Sequence, residues 1–317
     1  MVVRFIPMDS GFHCDRAMQS LNIRTLSLSN MEYKQLGDTN EKLPAIGMGS
    51  WKLEMNEESV AALKRGIELG MKFIDTAEIY GTEPLVAKAI KGEEVFVATK
   101  VWPSHFRHKD VLNSCRNSMN ALGVKSIDLY QLHWPNYNIP IKETMRAMEE
   151  LQKGGKIRHI GVSNFSIKEL EEAQACLKSS KIVSNQVEYS IITRDPEDAL
   201  LDYCKRNRIT LIAYSPLGHG ELFKEKNRLL ADAMGVIGSK YGKTVGQIAL
   251  AWLVSKAQTV AIPKAGSIKH VEENFEAGSL KLSSEDLNEL DMLSESFQKN
   301  PLSIEFWQKN GEEFGRR

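Results

Sequence analysis

The feature that most limits what this chain can fold into is an alternation of short apolar runs with amphipathic stretches, which begins at residue 45. Several runs are rich in β-branched residues, as is typical of parallel strands buried on both faces. Alternation of this kind, with short connections and no linker, indicates an α/β fold that is either a doubly wound sheet or a closed barrel. The runs are "AIGMGS" (45–50), "KFIDT" (72–76), "EVFVATKV" (94–101), "SIDLYQLH" (126–133), "IRHIGVS" (157–163), "IVSNQVEY" (182–189), "ITLIAYS" (209–215) and "TVAIPK" (259–264). Their number, eight, favours a (β/α)8 TIM barrel.

The stretches between these runs carry helical patterns with recognisable ends. In "NEESVAALKRGIELG", Asn56 is a candidate N-cap and Gly70 a candidate stop. Ser166 with Glu169 three positions later predicts a capping box. Residues 216–258, between strands seven and eight, hold two helical patterns, and a further helix is predicted after residue 281. We therefore expect extra helices after strand seven and at the C-terminus.

The segment before the first run differs from the rest of the chain. Around the polar residues 37–41, "MEYKQLG" and "KLPAIG" predict a β-hairpin that covers one end of the barrel. Residues 1–30 show no clean period, so either they are an atypical N-terminal extension or translation starts at Met31; we favour an appendage that the chemistry does not need. The predicted division is this extension over 1–30 and a single barrel catalytic domain over 31–317.

Composition narrows the classes of partner. The chain has 317 residues with 41 basic and 41 acidic side chains, so net charge gives no support for binding nucleic acid or a membrane surface. No apolar run approaches the roughly 20 residues of a membrane span, and the opening residues lack a signal-peptide core. The four cysteines form no CxxC pair, which is typical of a reducing compartment. We expect a cytoplasmic protein, monomeric or weakly dimeric.

Polar side chains recur where the predicted strands end, which is the edge at which barrel enzymes carry their active sites. Taken singly, each has an ordinary explanation, such as a helix cap, an exposed strand end or a satisfied core histidine. Their joint occurrence favours a site, because charged groups are costly to bury unpaired. These residues are Asp75, Lys100, His133, Ser163, Asn164, Gln186 and Tyr214.

Tyr80, in the loop after the second run, adds a proton donor. A phenol has an ordinary pKa of about 10, which a lysine ammonium in contact can lower by roughly one to three units. We predict that Tyr80 is a general acid toward a carbonyl oxygen, tuned by Lys100, which Asp75 holds in place. Neutral His133 would donate a hydrogen bond to that oxygen and orient it.

The sequence contains none of the common motifs that would identify a source of electrons. The seven histidines are scattered and no HExxH or paired CxxC is present, so we predict no metal site. No GxGxxG follows a strand either, since "GHGELF" (218–223) lacks the third glycine. The Rossmann fingerprint is therefore absent, and these motifs alone leave the cofactor open.

From Met31 to about Ser296 the sequence resembles the aldo-keto reductase family. "GMKFIDTAEIYGTE" matches the family's first signature, and "VATK", "LHWP", "GVSNF", "NQVEY", "AYSPLG" and "IPKA…EEN" match later blocks in order. The resemblance implies hydride transfer from NADPH to aldehydes or aldoses, with ketones as a further substrate class. The family's four catalytic positions fall on Asp75, Tyr80, Lys100 and His133.

The family binds NAD(P)H in an extended form across the barrel mouth, and the resemblance implies the contacts. They are Ser163, Asn164 and Gln186 at the nicotinamide carboxamide, Tyr214 beneath the ring, Ser215, Leu217 and Gly218 at the pyrophosphate, and Lys264, Glu273 and Asn274 at the adenosine end.

Two positions at the adenosine end depart from the better-known members. His270 stands where they carry an arginine for the 2′-phosphate, and Ala265 stands where they carry a serine. A neutral histidine lacks the guanidinium fork, although Lys264 still offers a charge and Ser267 a hydroxyl. We therefore expect NADPH to be preferred by a reduced margin, with NADH usable.

On the substrate side, Trp51 and Trp134 match the family's pocket aromatics and would line the pocket beside Tyr80 and His133. The loop "NYNIP" after "HWP" is short, which predicts an open pocket for small aldehydes and aldoses. Phe306 and Trp307 would either fold over this pocket or pack on the barrel wall.

Two other functions stay open. Lys100 could form a Schiff base in a barrel aldolase. The family also includes channel subunits and lens proteins that keep the fold, so a non-catalytic NADP(H)-binding role is the second alternative.

Overall fold

The computed structural model describes residues 31–298; the predicted extension over 1–30 and the tail residues Phe306 and Trp307 lie outside this range. Two hairpin strands come first and are followed, within this range, by eight parallel strands. The hairpin is β1 (Tyr33–Gln35) and β2 (Lys42–Pro44), and the parallel strands are β3 (Met48–Gly49), β4 (Phe73–Asp75), β5 (Phe96–Val101), β6 (Ile127–Leu132), β7 (Ile157–Ser163), β8 (Ile182–Glu188), β9 (Thr210–Tyr214) and β10 (Thr259–Ala261).

The eight parallel strands form a closed barrel. Each pairs with the next one along the chain, from β3 to β10. Gly47 donates from its backbone N–H to the Ala261 carbonyl, and Gly49 donates to the Pro263 carbonyl. These hydrogen bonds join the first parallel strand to the last, so the predicted (β/α)8 barrel is confirmed.

Helices follow the strands in the expected alternation. They are α1 (Glu57–Leu69), α2 (Glu83–Ile90), α3 (His108–Leu122), α4 (Ile141–Lys153), α5 (Ile167–Ala175), α6 (Leu200–Arg206), α7 (Arg228–Tyr241), α8 (Val245–Ser255), α9 (Ile268–Ala277) and α10 (Ser284–Gln298). The helices α7 and α8 lie between β9 and β10, and α10 follows α9, which confirms the predicted extra helices. The Asn56 cap, the Gly70 stop and the capping box of Ser166 with Glu169 are all present.

The hairpin closes the N-terminal end of the barrel. Leu36 and Leu43 are fully buried and pack against apolar side chains that the parallel strands turn inward, among them Phe73, Leu129 and Ile212. At the opposite end, where the parallel strands terminate, lie the buried polar residues Asp75, Lys100, His133 and Ser163. In the described part of the chain no helix has the length and apolar character needed to cross a membrane.

Candidate active site

A buried ion pair lies at the C-terminal end of the barrel. Asp75 ends β4 and Lys100 lies one residue before the end of β5, and these strands are neighbours. Lys100 Nζ donates to Asp75 Oδ1 at 2.5 Å and to the Thr76 carbonyl at 2.8 Å. Lys100 is 0% exposed and Asp75 is 2% exposed. Burial lowers the pKa of Lys100, while the Asp75 carboxylate favours its charged form.

Tyr80 and His133 meet above this ion pair. Tyr80 ends a single 3₁₀ turn, Glu78–Tyr80, and its ring centroid is 5.0 Å from Lys100 Nζ. His133 directly follows β6, and its Nε2 lies 3.2 Å from the Tyr80 hydroxyl oxygen. Burial, followed by the charge of Lys100, holds the pKa of His133 well below its ordinary value. The imidazole is therefore neutral near pH 7, as the sequence suggested.

The direction of the Tyr80 pKa shift corrects the expectation from sequence. We expected Lys100 to lower this pKa, but burial, and after it the negative charge of Asp75, raise it above its ordinary value. The reason is that Asp75 lies 2.5 Å from Lys100 and offsets its charge, while desolvation disfavours a phenolate. Tyr80 thus holds its proton in the resting protein.

The side chains predicted to bind a carboxamide lie together beside His133. Ser163 ends β7 and its hydroxyl donates to the Gln186 carbonyl at 2.9 Å. Asn164 follows with a φ of 62°, and its Nδ2 donates to the His133 carbonyl at 3.1 Å and to Ser163 Oγ at 3.0 Å. Tyr214, at the end of β9, donates from its hydroxyl to Asn164 Oδ1 at 3.0 Å. The ends of β7, β8 and β9 therefore form one polar cradle, which consists of Ser163, Asn164, Gln186 and Tyr214.

Gln131 belongs to this site and was missed in the sequence. Its Nε2 donates to Asp75 Oδ2 at 3.1 Å, and Gln186 Nε2 donates to the same oxygen at 2.8 Å and to Gln131 Oε1 at 3.3 Å. Asp75, Gln131 and Gln186 come from β4, β6 and β8, as expected where alternate strands fill one layer of a barrel. The available signal was the position of Gln131 two residues before His133, which places both on the same face of the strand.

Glu78 was also missed. Its Oε1 accepts from the backbone N–H of Trp102 at 2.6 Å and lies 2.9 Å from His105 Nδ1. This carboxylate joins the turn that carries Tyr80 to the loop after β5. No motif singled it out, because the contact depends on two loops that are distant in sequence.

Gly161, in β7, leaves the room that this polar layer needs. A Cβ added there would lie 2.5 Å from Ser184 Oγ and 3.0 Å from Gln131 Cγ. We expect Gly161→Ala to lower the free energy of unfolding by about 1–3 kcal/mol, because the packed interior has to shift. Urea unfolding monitored by circular dichroism measures this.

The matched control for that substitution is Gly235→Ala, within α7. Its added Cβ would make only an ordinary contact, 3.9 Å from Val245 Cγ2. Because alanine suits a helix interior better than glycine does, this variant should gain about 0.5–1 kcal/mol. Equal stability of Gly161→Ala and the parent protein would show that the layer tolerates a methyl group.

The predicted pocket aromatics lie at the barrel mouth. Trp51, in the loop after β3, is 37% exposed and meets the ring of His219 edge-on, with centroids 5.4 Å apart. Trp134 follows His133 and is half-buried. Trp102 was not anticipated, and its ring lies edge-on to His133 at 5.1 Å. The ring of Trp102 is therefore in direct contact with the catalytic candidate His133.

The residues predicted for the rest of the cofactor lie in two places. Ser215, Leu217 and Gly218 are in the loop after β9, where Ser215 has a φ of 47° and Gly218 one of 58°. The remaining residues are in or near the start of α9, after β10: Lys264 and His270 are exposed, Glu273 is half-buried, and Ala265 and Asn274 are buried. Ser267 caps this helix by accepting from the His270 backbone N–H. The start of a helix favours negative charge.

Within residues 31–298, no three His, Cys, Asp or Glu side chains come together in a group that could hold a metal ion. At the C-terminal end of the barrel, the Lys100–Asp75 pair, Tyr80 and His133 come together. A closed (β/α)8 barrel with this set at the ends of its strands has the architecture of a barrel enzyme equipped for proton transfer.

Comparison with known proteins identifies the family. The aldo/keto reductase family model matches residues 45–295, and the chain belongs to this family. It is 38% identical over 260 residues to the methylglyoxal reductase YeaE of Escherichia coli (strain K12), an alignment that covers 78% of this chain and 90% of that protein. The resemblance seen in the sequence is thereby confirmed, and the chain is an oxidoreductase.

Two solved structures are similar in fold as well as in sequence. The thermostable aldo-keto reductase Tm1743, in complex with the inhibitor epalrestat, is 44% identical with a TM-score of 0.77, over 83% of this chain and 100% of that one. An aldo-keto reductase from Klebsiella pneumoniae in complex with NADPH is 35% identical with a TM-score of 0.78, over 83% of this chain and 95% of that one.

Proposed function

We propose that this protein reduces small aldehydes, 2-oxoaldehydes foremost, to alcohols with NADPH. The observation that carries the proposal is the meeting of the Tyr80 hydroxyl and His133 Nε2, 3.2 Å apart, beside the buried Lys100–Asp75 pair. Support for the substrate class comes from the methylglyoxal reductase to which the chain is similar, and support for the cofactor from the NADPH complex of the Klebsiella protein.

In the proposed reaction the carbonyl oxygen sits between Tyr80 and His133. The neutral His133 ring donates one hydrogen bond to that oxygen and Tyr80 donates another, which orients the carbonyl. NADPH, when bound, supplies the hydride that reduces the carbonyl carbon. The oxygen then carries a full negative charge, and Tyr80 transfers its proton to it.

The raised pKa of Tyr80 is compatible with this role. An alkoxide is about as basic as hydroxide, so it can take a proton even from a phenol whose pKa is raised. The phenolate that forms lies near Lys100, whose Nζ is 5.0 Å from the ring centroid. The role we assign to Lys100, held by Asp75, is to offset part of the cost of this anion, while burial and the Asp75 charge keep the pKa of Tyr80 above its ordinary value.

The chain's polar side chains fit the cofactor that we propose. The carboxamide would bind in the cradle of Ser163, Asn164 and Gln186, whose polar atoms are already fixed by hydrogen bonds to one another and to the barrel. The residues proposed for the rest of the dinucleotide are Tyr214 at the ring, Ser215, Leu217 and Gly218 at the pyrophosphate, and Lys264, Ala265, His270, Glu273 and Asn274 at the adenosine end.

The experiment that tests this function is NADPH oxidation by the full-length chain over a panel of methylglyoxal, glyceraldehyde and aldoses. We expect the protein to consume NADPH with the short aldehydes and to have its highest kcat/KM with 2-oxoaldehydes. Failure to oxidise NADPH with any of them would overturn it and favour the non-catalytic alternative.

The aldolase alternative is not favoured by the position of Lys100. Its residue is 0% exposed, and Nζ already donates to Asp75 and Thr76, so a substrate carbonyl has no approach to the amine. Borohydride treatment in the presence of a ketone or aldehyde should leave Lys100 unmodified, as peptide mass spectrometry would show.

The preference for NADPH over NADH offers a test at the adenosine end. His270 is exposed near the start of α9. The substitution His270→Arg adds a guanidinium that can bind the 2′-phosphate through two hydrogen bonds. We expect the Kd for NADPH to fall about tenfold and that for NADH to stay the same. Fluorescence titration of both dinucleotides measures this.

Ile268→Arg is the matched control for added charge. Ile268 is exposed, but residues two positions apart do not share a face of a helix. This variant should change the ratio of the two Kd values much less than His270→Arg. An unmoved ratio in His270→Arg would remove this residue from the 2′-phosphate site.

A further inference from the structure

The hydrogens of the polar cradle are already donated within the protein. Ser163 donates its one hydroxyl hydrogen to the Gln186 carbonyl. Asn164 donates both Nδ2 hydrogens, to the His133 carbonyl and to Ser163 Oγ. Tyr214 donates its hydroxyl hydrogen to Asn164 Oδ1, which keeps a second lone pair. What these residues offer to a ligand is therefore acceptor oxygens.

Gln186 follows the same rule, because Asp75 and Gln131 together accept both of its Nε2 hydrogens. One Gln186 Nε2 hydrogen reaches Asp75 Oδ2 at 2.8 Å and the other reaches Gln131 Oε1 at 3.3 Å. The amide orientations are set by chemistry, because a carboxylate only accepts, so both Gln131 and Gln186 must turn their NH₂ groups toward Asp75. Gln131 then has its oxygen directed at Gln186, and Gln186 keeps only Oε1 for a ligand.

We infer that Gln131 is a positioning residue that makes this cradle selective for a ligand group with two N–H donors, a primary carboxamide, over an acetyl group of the same shape. The inference rests on the proposed function, since it takes the cradle to be the nicotinamide site. Gln131 does not touch the ligand; it acts by occupying the second Gln186 hydrogen.

The hydrogen-bonded group of Gln131, Asp75 and Gln186 is buried in the barrel. Gln131 and its partners Asp75 and Gln186 are at most 2% exposed, and Gly161 leaves space directly against Gln131 Cγ. A leucine would fill a similar volume without burying an amide, and burying one is unfavourable unless it is hydrogen-bonded. The amide of Gln131 therefore has a role in the hydrogen-bond pattern beyond filling the barrel.

The test compares the Kd of NADPH with that of its reduced 3-acetylpyridine analogue, in which a methyl group replaces the amide NH₂. The parent protein should bind NADPH at least about tenfold more tightly than the analogue, because the analogue leaves acceptors unpaired. In Gln131→Leu, only Asp75 still fixes the Gln186 amide, which can then turn its NH₂ group toward an acceptor on the ligand. That ratio should then shrink about fivefold or more.

Gln174→Leu is the matched control. Gln174 also has both ends of its amide engaged, since Nε2 donates to the Ser180 carbonyl and Oε1 accepts from the Ile182 N–H, but it lies on α5 away from the cradle. Its replacement should alter stability and leave the ratio of the two Kd values unchanged. A ratio that shrinks equally in both variants would overturn the inference.

A second variant keeps the inference testable should Gln131→Leu fold poorly. In Gln131→Glu the new carboxylate faces Asp75 at about 3 Å, and two such groups do not both ionise readily. As the pH rises from mildly acidic to mildly alkaline, the second carboxyl group is driven to ionise beside the first, and their repulsion disturbs the layer that holds Gln186. NADPH binding should therefore weaken progressively, whereas the parent protein shows a flatter profile. A profile that matches the parent would overturn the proposed Gln131–Asp75 contact.

The outcomes separate this inference from the function on which it rests. Absence of NADPH binding by the parent protein would contradict the proposed function itself. Tight NADPH binding with equal affinity for the acetyl analogue, or with an unchanged ratio in Gln131→Leu, would overturn only the role of Gln131.

Discussion

Replacement of Tyr80 by phenylalanine should lower kcat for aldehyde reduction by about 10²–10⁴-fold, which is the range for loss of a general acid or base. The Kd for NADPH should stay nearly the same, because the ring and its position beside Lys100 are retained. Only the hydroxyl, which lies 3.2 Å from His133 Nε2, is removed. Steady-state kinetics with methylglyoxal and fluorescence titration with NADPH measure the two quantities.

Tyr137→Phe is the matched control for this substitution. Tyr137 lies in the loop after His133, is 86% exposed and donates from its hydroxyl to Glu169 at 2.5 Å. Removal of that hydroxyl also breaks a hydrogen bond, but at a distance from the buried ion pair, and should leave kcat within about twofold. Near-normal turnover by Tyr80→Phe would mean that another group protonates the product.

The barrel was predictable because its signals are local. Asn56, Gly70 and the Ser166–Glu169 capping box mark helix ends within a few residues of chain, and each is present in the structure. The apolar runs around Ile74 and Val97 likewise predict strands that are buried on both faces, and this prediction needs no information about distant residues. Eight such units in series leave few closed arrangements other than the one observed.

The polar layer inside the barrel was only partly predictable, because its contacts join strands that are not neighbours. Asp75 and Gln186 were recognised as polar strand ends, but Gln131 joins them only once β4, β6 and β8 close around a common axis. The Tyr80 pKa was mispredicted for a related reason. Proximity to Lys100 could be anticipated, whereas the balance between desolvation and the paired charge of Asp75 depends on packing.

The second large effect concerns the stability of the Lys100–Asp75 pair. Lys100→Met should lower the free energy of unfolding by about 3–5 kcal/mol, because it leaves Asp75 as a buried charge without its ionic partner. Asp75→Asn should be destabilising for the converse reason, and its single amide oxygen cannot accept from Lys100 and from the two glutamines as the two carboxylate oxygens do. Guanidinium unfolding of each variant measures the loss.

An exposed ion pair is the control for the removal of a charge. Lys88 Nζ lies 3.0 Å from Glu57 Oε1, with side chains 62% and 83% exposed. Lys88→Met should cost no more than about 1 kcal/mol, since solvent screens both charges. If Lys88→Met and Lys100→Met were equally destabilising, burial would not be the source of the effect.

The double variant Asp75→Asn/Lys100→Met separates stability from catalysis. With both charges gone, no uncompensated ion is left inside the barrel, so the double variant should be more stable than the sum of the two single losses implies. The activity of Lys100→Met and that of the double variant should both be low, because neither has an ammonium near Tyr80 to offset the cost of the phenolate. A double variant that is at least as stable as the parent protein but has no turnover would show that the ion pair is retained for the proton transfer, at a net cost to the fold. Recovery of both stability and turnover would mean that the pair serves only to hold the barrel together.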